Sequence, residues 1–230
     1  MTMPAHPVPS PEAGRKTVFL VDDHPLVREW LTNLIHQQPD LAVCGEAENG
    51  PQAMHGILDL KPDVAIVDIG LKDSSGLELI KDLKRCCPAT AVLVLSMHEE
   101  AHYIERALRA GARGYIMKRE STRKVITAIH QVLQGKLYVN EEIAAAMAAQ
   151  FVEGKTLATH SPAEQLSDRE LEVFELLGQG RGTRQIAETL RVSVKTVQAY
   201  CARIKDKLNL GSATELLREA VRWHESRNAG

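Results

Sequence analysis

The first half of the chain alternates short apolar runs with amphipathic stretches. Apolar runs rich in β-branched residues occupy 17–22, 41–47, 63–68, 91–96 and 114–117. After each run, apolar side chains recur every three to four positions, which predicts helices at 25–37, 50–61, 75–86, 99–111 and 121–134. Five strand–helix repeats predict an α/β fold: a five-stranded parallel (βα)5 domain with helices on both faces of the sheet.

The second half of the chain has no strand pattern. Helical periodicity covers 166–180, 183–191, 193–208 and 212–225. Ser167, Ser193 and Ser212 stand where helix N-caps belong, and Ser167 with Glu170 three residues later matches a capping box. The pattern predicts a small all-α domain of four helices.

The remaining segments separate these two domains from each other and from the N-terminus. The start of the chain has four prolines and no apolar core, which predicts a disordered tail at 1–15 and not a secretory signal. We expect the strand-containing domain at 16–134, a linker at 135–161 with one short helix at 140–152, and the helical domain at 162–227.

Composition and charge limit the classes of function that this chain can have. The 230 residues are 44% hydrophobic and 25% charged, as in globular proteins, and the sequence has no apolar run as long as the ~18 residues of a membrane span. The net charge of −2 excludes a uniformly basic nucleic-acid coat but permits a local basic patch. The four cysteines form no C-x-x-C pair and predict free thiols in a reducing cytosol. We expect a cytoplasmic protein without a membrane partner.

Chemically active side chains follow the apolar runs. Asp22 and Asp23 follow the first, Asp68 the third, Ser96 the fourth and Lys118 the fifth. The carboxyl ends of parallel strands meet at one edge of a sheet, where ligands bind. Three carboxylates in one pocket repel each other unless a cation lies among them, and hard oxygen ligands suit Mg²⁺. A carboxylate beside Mg²⁺ can attack phosphorus, while a lysine and a hydroxyl contact the phosphoryl oxygens.

Each of these residues also has an ordinary explanation. Asp23 and His24 are equally typical of a helix N-terminus, Asp68 of a strand end, Ser96 of a helix cap and Lys118 of a solvated surface. Their joint occurrence, in strand order and at one edge, favours the phosphoryl-transfer pocket.

A basic segment lies in the helical domain. Residues 183–208 have the helix, short turn and longer helix of a helix-turn-helix motif. Five basic residues and one acidic residue, Asp206, lie between positions 191 and 207. Phosphate contacts need such a patch, although a solvated, salt-bridged helix face would carry the same charge.

The strand-containing domain resembles the receiver domain of two-component response regulators. That family carries the same residue types, in the same order, as Asp22, Asp23, Asp68, Ser96 and Lys118. The stretches LSMHEE (95–100) and GARGYIMK (111–118) are similar to the NarL/FixJ subfamily, and the resemblance covers residues 17–133. It implies that Asp68 accepts a phosphoryl group from a sensor histidine kinase, with Ser96 and Lys118 on the phosphoryl oxygens.

The same resemblance implies a Mg²⁺ site. Asp23, Asp68 and the backbone carbonyl of Gly70 would bind the ion, and Asp22 would act mainly through a metal-bound water. In the loop after the phospho-acceptor, relatives usually carry a Met-Pro pair, where this chain has Leu71 and Lys72. Because proline fixes φ, its loss loosens the loop, and we expect altered phosphorylation or dephosphorylation rates.

Tyr115 matches the aromatic residue whose rotamer tracks activation in the receiver family, although a half-buried strand tyrosine is an equally good interpretation.

The helical domain resembles the LuxR-type helix-turn-helix domain. LSDRELEVFELL (166–177), QIA (185–187) and SVKTV (193–197) carry the resemblance, which extends over residues 162–227. The family places the second helix of the motif in the major groove of double-stranded DNA. The implied phosphate contacts are Lys195, Thr196, Arg203 and Lys207, and the implied base-reading positions are Gln198, Ala199 and Ala202.

Two positions in this helix depart from the usual pattern. Relatives often carry a basic residue at the position of Gln198 and a histidine at that of Tyr200. Glutamine can pair with adenine, so the departures concern sequence specificity and not DNA binding itself.

The sequence therefore predicts a phosphorylation-controlled transcription regulator that is not an enzyme and that forms homodimers when phosphorylated. The helix at 212–225 is the dimer element that the family implies, although its apolar stripe is equally consistent with plain core. One alternative, a Mg²⁺-dependent phosphatase, needs a second acid two residues after the nucleophile, where this chain has Gly70. The other is a phosphorylation-independent DNA binder whose receiver serves only for dimerisation.

Overall fold

The structure, a computed structural model, describes residues 14–71, 75–97, 101–140, 144–145, 165–190 and 192–228. The chain divides into two compact units, Met1–Ala146 and Met147–Gly230. Within the part that is described, no helix is both long and apolar enough to cross a membrane.

The first unit is a five-stranded parallel sheet in the order β2-β1-β3-β4-β5. Its strands are β1 (Lys16–Val21), β2 (Leu41–Ala47), β3 (Val64–Val67), β4 (Ala91–Ser96) and β5 (Gly114–Met117). Its helices are α1 (Pro25–His36), α2 (Gly50–Leu60), α3 (Gly76–Cys86), α4 (Ala101–Ala110) and α5 (Thr122–Leu133). The predicted α/β class is confirmed, and the strand order reverses direction between β1 and β3, where such sheets open a ligand crevice.

Alternate residues of β1 show why this sheet is buried on both faces. Val18 and Leu20 belong to a buried cluster with residues of α1 and α5, including Ile35 and Ile129. Phe19 points to the other face, where its ring lies so close to α2 that a Cβ on Gly56 would stand 2.7 Å from it. Successive side chains of β1 therefore point to opposite faces of the sheet and pack into an apolar layer on each face, while the polar residues lie at the strand ends.

The first unit continues beyond α5. Tyr115 N–H donates to the carbonyl of Tyr138 (2.8 Å), and Tyr138 N–H donates to the carbonyl of Arg113 (3.0 Å). The start of the predicted linker thus pairs with β5. Of the helix predicted at 140–152, residues 144 and 145 are helical, residue 140 is not, and the others lie outside the described residues. Of the tail predicted at 1–15, residues 1–13 lie outside the described residues.

The second unit contains the four predicted helices: α6 (Asp168–Gly178), α7 (Thr183–Thr189), α8 (Val194–Leu208) and α9 (Ala213–Asn228). Ser193 Oγ accepts a hydrogen bond from Thr196 N–H at 3.0 Å, which caps α8. Phe174 of α6 and Trp223 of α9 contact each other in the core, with ring centroids 5.6 Å apart. The all-helical class predicted for this unit is confirmed.

Candidate functional site

The carboxylates predicted at the strand ends lie together. Asp22 N–H donates to the carbonyl of Ala47 (3.1 Å), and Asp68 N–H donates to that of Val21 (2.8 Å), so the strand ladder holds both backbones one residue past β1 and β3. Both residues are buried. The side chains of Asp22, Asp23, His24 and Asp68 each offer a ligand atom, and these atoms lie within 4.8 Å of one another.

Lys118 joins two of the carboxylates. Its Nζ lies 2.6 Å from Asp22 Oδ2 and 2.7 Å from Asp68 Oδ2. Burial disfavours the charged ammonium, but the nearby charges of Asp68 and Asp22 outweigh that effect and raise the pKa of Lys118 above its ordinary value. The lysine is therefore a fixed cation beside Asp68, and a surface role for it is excluded.

The remaining predicted residues of this pocket stand on neighbouring elements. Ser96 is completely buried at the end of β4, and its carbonyl accepts Lys118 N–H at 2.8 Å. Gly70 N–H donates to Asp68 Oδ1 at 3.1 Å. Tyr115 is buried on β5, three residues before Lys118. The structure thus collects the predicted acids and the lysine in one pocket, and the backbone of Ser96 is hydrogen-bonded to that of the lysine.

Two side chains of this pocket were not assigned from the sequence. His24 Nδ1 lies 3.0 Å from Asp22 Oδ1 and 2.9 Å from Asp23 Oδ1, so the imidazole contacts the acids and does not cap α1. Arg28, one helical turn further, donates from Nη1 to the carbonyl of Asp22 at 2.6 Å. The four-residue spacing of His24 and Arg28 behind the acids is the only sequence signal for this support.

The donor set fits a hard divalent cation. The ligand atoms of Asp22, Asp23 and Asp68 lie within 4.8 Å of one another, and most of these carboxylate surfaces are removed from solvent. Buried carboxylate oxygens need a compensating charge or donor, and Mg²⁺ prefers oxygen ligands of this kind.

Gly76, the first residue of α3, packs against the backbone of Asp68. Its N–H donates to the carbonyl of Ile69 at 3.2 Å. A Cβ at this position would stand 2.2 Å from the carbonyl oxygen of Asp68 and 2.6 Å from Cα of Ile69. The start of α3 therefore fixes the peptide that carries the central carboxylate, a role that no sequence pattern indicates.

A second candidate surface lies on α8. Lys195, Gln198, Ala199 and Ala202 are exposed, and their spacing of three, four and seven residues places them on one helix face. Arg203 is also exposed, with its guanidinium carbon 5.2 Å from the centre of the Tyr200 ring.

The other two predicted phosphate contacts are engaged within the second unit. Thr196 Oγ1 lies 2.8 Å from Ser193 Oγ, and Lys207 Nζ lies 2.6 Å from Glu170 Oε2. Their contacts with DNA stay predictions.

Both units match known protein families. Residues 18–130 match the response regulator receiver domain, and residues 164–220 match the bacterial regulatory proteins of the luxR family. The oxygen regulatory protein NreC of Staphylococcus haemolyticus is 34% identical over 209 residues, which cover 89% of this chain and 96% of NreC. NreC of Staphylococcus epidermidis is 34% identical over 210 residues, with the same coverage.

Solved structures have the same architecture. A two-component response regulator of the LuxR family from Aurantimonas sp. SI85-9A1 aligns with a TM-score of 0.57 and 30% identity, over 60% of this chain and 99% of that one. RcsB from Salmonella enterica serovar Typhimurium, bound to promoter rprA in the presence of the phosphomimetic BeF3⁻, aligns with a TM-score of 0.56 over 90% of this chain and 98% of that one. At 24% identity RcsB supports the fold alone.

Receiver domains of this family bind Mg²⁺ in an acidic pocket and receive phosphate from a histidine kinase, and LuxR-type domains bind DNA. The acidic cluster beside Lys118 and the exposed face of α8 occupy the corresponding two domains. The chain belongs to the NarL/FixJ-type, LuxR-family response regulators, the DNA-binding response regulators of two-component systems.

Proposed function

We propose that Asp68 is the phospho-acceptor of this response regulator. The observation that carries the proposal is the position of Lys118, whose ammonium contacts both Asp22 and Asp68 at the edge of the sheet. A phosphoryl group on Asp68 adds oxygens with negative charge at the point where this cation already lies.

The transfer needs a nucleophile and two partners for the phosphoryl oxygens. A carboxylate oxygen of Asp68 attacks the phosphorus of the kinase phosphohistidine, the P–O bond forms, the P–N bond breaks and the leaving imidazole takes up a proton. Lys118 neutralises the transferred oxygens, and the hydroxyl of Ser96 donates a hydrogen bond to one of them.

Asp23, Asp68 and the carbonyl of Gly70 would hold Mg²⁺, with Asp22 acting through a bound water. The ion, when bound, neutralises negative charge on the phosphoryl oxygens. His24 and Arg28 support this set, because they contact the side chains and backbone of the two N-terminal acids. We propose no separate enzymatic substrate, since the position where a phosphatase needs a second acid is Gly70.

Phosphorylation would be read out by the DNA-binding domain. Ser96 and Tyr115 lie on adjacent strands, β4 and β5, so a change at the pocket can reach the face formed by α4, β5 and α5. RcsB, which has the same fold, was solved bound to promoter rprA in the presence of the phosphomimetic BeF3⁻, and we propose that phosphate on Asp68 is coupled to DNA binding in this chain. We propose that the phosphorylated chain forms homodimers on double-stranded DNA and acts in the cytoplasm, where that DNA lies.

Phosphate incorporation tests the assignment of Asp68. The full chain, its Asp68→Asn variant and a matched Asp82→Asn variant on α3 are incubated with Mg²⁺ and acetyl phosphate and measured by intact-mass spectrometry. We expect one phosphate on the native chain and on the Asp82 variant, and none on the Asp68 variant. An unmodified native chain would instead favour the phosphorylation-independent DNA binder, and a phosphorylated Asp68→Asn chain would move the acceptor elsewhere.

A further inference from the structure

One buried carboxylate joins two helices of the DNA-binding domain. Lys207, in the last turn of α8, donates from Nζ to Glu170 Oε2 at 2.6 Å. The same oxygen accepts the N–H of Ser167, the N-cap of α6, at 2.8 Å. Glu170 is only 2% exposed. The C-terminal end of α8 and the N-terminal end of α6 are therefore held by one oxygen atom.

This carboxylate depends on its cation. Burial would raise the pKa of Glu170, but the hydrogen bonds from Lys207 and Ser167 outweigh it and lower the pKa below its ordinary value. Glu170 is consequently charged at neutral pH. If Lys207 turned outward to a DNA phosphate, it would leave a buried negative charge without its counter-ion, which is strongly unfavourable.

Two other basic residues of α8 differ from Lys207 in this respect. Lys195 and Arg203 are exposed, and neither forms an ion pair with an acid in the described part of the domain. Lys207 is also accessible to solvent, with 42% of its side chain exposed, so what distinguishes it is the ion pair with the buried Glu170 and not burial of the lysine.

We propose that Lys207 and Glu170 form a positioning pair that sets the orientation of α8 for reading DNA, and that Lys207 makes no phosphate contact. Ser193 caps α8 at its N-terminal end, and the pair fixes its C-terminal end, so the base-reading face between them is held at both ends. The proposal relies on the DNA-binding activity of the family and is independent of phosphorylation at Asp68.

DNA affinity, salt dependence and stability together test the pair. The full chain, Lys207→Met, Glu170→Gln, the double variant and Lys195→Met as the exposed control are compared by fluorescence anisotropy. The probes are a duplex selected by the native chain from a randomised pool and the unselected pool itself, each titrated at several KCl concentrations. Thermal unfolding is followed by circular dichroism, so that affinities refer to folded protein. Glutamine at 170 retains an oxygen that can accept Ser167 N–H, so the helix cap is kept.

A positioning pair predicts that Lys207→Met and Glu170→Gln each lower the ratio of selected to random affinity about fivefold or more, the loss of roughly one base contact. The double variant should be no worse than either single variant, because the two side chains act together. Lys207→Met should leave the slope of log K against log [KCl] unchanged, whereas Lys195→Met should reduce its magnitude by about 0.9, the contribution of one phosphate contact.

Two other outcomes would overturn the proposal. If Lys207→Met lowers the salt slope by about 0.9 and Glu170→Gln tightens binding, Lys207 is a phosphate contact that Glu170 restrains. If both variants lower the melting temperature and leave the selected-to-random ratio of the folded protein intact, the pair is structural and does not position α8.

Discussion

Replacing Gly76 by alanine perturbs the phospho-acceptor without changing any charged group. The added Cβ would stand 2.2 Å from the carbonyl oxygen of Asp68, where real Cβ contacts essentially never fall below 3.0 Å. Either the first turn of α3 or the Asp68–Ile69 peptide must therefore move by about 0.8 Å, the difference between these two distances. Backbone atoms cannot rotate away as a flexible side chain can.

The expected cost follows from the size of this displacement. Overpacking of this kind destabilises a protein by about 1–3 kcal/mol. The gain in helix propensity from Gly to Ala is at most about 1 kcal/mol in a helix interior, and Gly76 is the first residue of its helix, so the gain offsets only part of that cost. Displacement of a reacting group by about 1 Å can cost about 100-fold in rate, so we expect phosphorylation of Asp68 to slow about 10- to 100-fold.

Urea unfolding and the initial rate of phosphate incorporation from acetyl phosphate measure both effects. Gly70→Ala is the control for stability, because among the described residues its Cβ would meet the Asp68 side chain alone, at an ordinary 3.7 Å. Wild-type stability and rate in the Gly76 variant would refute the close packing. Lost stability with an unchanged rate would show that α3 moves while Asp68 keeps its place, and would refute the positioning of Asp68 by Gly76.

Three further predictions concern the DNA-binding domain. Gln198→Ala should relax sequence preference more than it weakens binding to random duplex, and equal losses on the two probes would contradict a base-reading role. Tyr200→Leu should weaken binding to random duplex about two- to fivefold, because Arg203 loses the ring beneath it, while Tyr200→Phe should retain it; equal affinities for the two variants would exclude the stacking. The folded-state pKa of Glu170 is lowered, so the stability it contributes is present above its unfolded value of 4.5 and is lost as the pH falls through the folded value. Calorimetry of the full chain below pH 4.5 should therefore show a smaller acid destabilisation of this domain in Glu170→Gln than in the native chain, and identical acid profiles would contradict it.

The fold and the main pocket could be predicted because both depend on periodic patterns. The strands are predicted by apolar runs that are near-continuous or alternate with a period of two. Their alternation with helices along the chain predicts a parallel sheet. Asp22, Asp68 and Lys118 could then be placed together because parallel strands end at one edge, and the structure confirms their contact.

Contacts that depend on the direction of a single side chain could not be predicted in this way. His24 has the sequence position of a helix cap, yet its imidazole lies between two carboxylates. Lys207 belongs by charge count to the basic face of α8, yet its ammonium reaches a carboxylate 37 positions earlier. A hydrophobic pattern specifies which helix face is buried, but it does not specify where a long, flexible cation at the edge of that face ends.

The role of Gly76 could not be predicted from the sequence for a different reason. Its importance comes from the absence of a side chain at a point where two backbones meet, and a glycine close to a loop is also an ordinary turn residue. Only the packing of α3 against the end of β3 distinguishes the two cases.

The most direct test of the central claim is the DNA affinity of one preparation before and after treatment with acetyl phosphate and Mg²⁺, measured on the native chain and on Asp68→Asn. Fluorescence anisotropy on a duplex selected from a randomised pool gives both dissociation constants. Phosphorylation on Asp68 predicts tighter binding by the treated native chain, by about 5- to 150-fold for a typical allosteric coupling, and no change in the variant. Equal affinities before and after a confirmed phosphorylation would contradict the claim that Asp68 controls DNA binding.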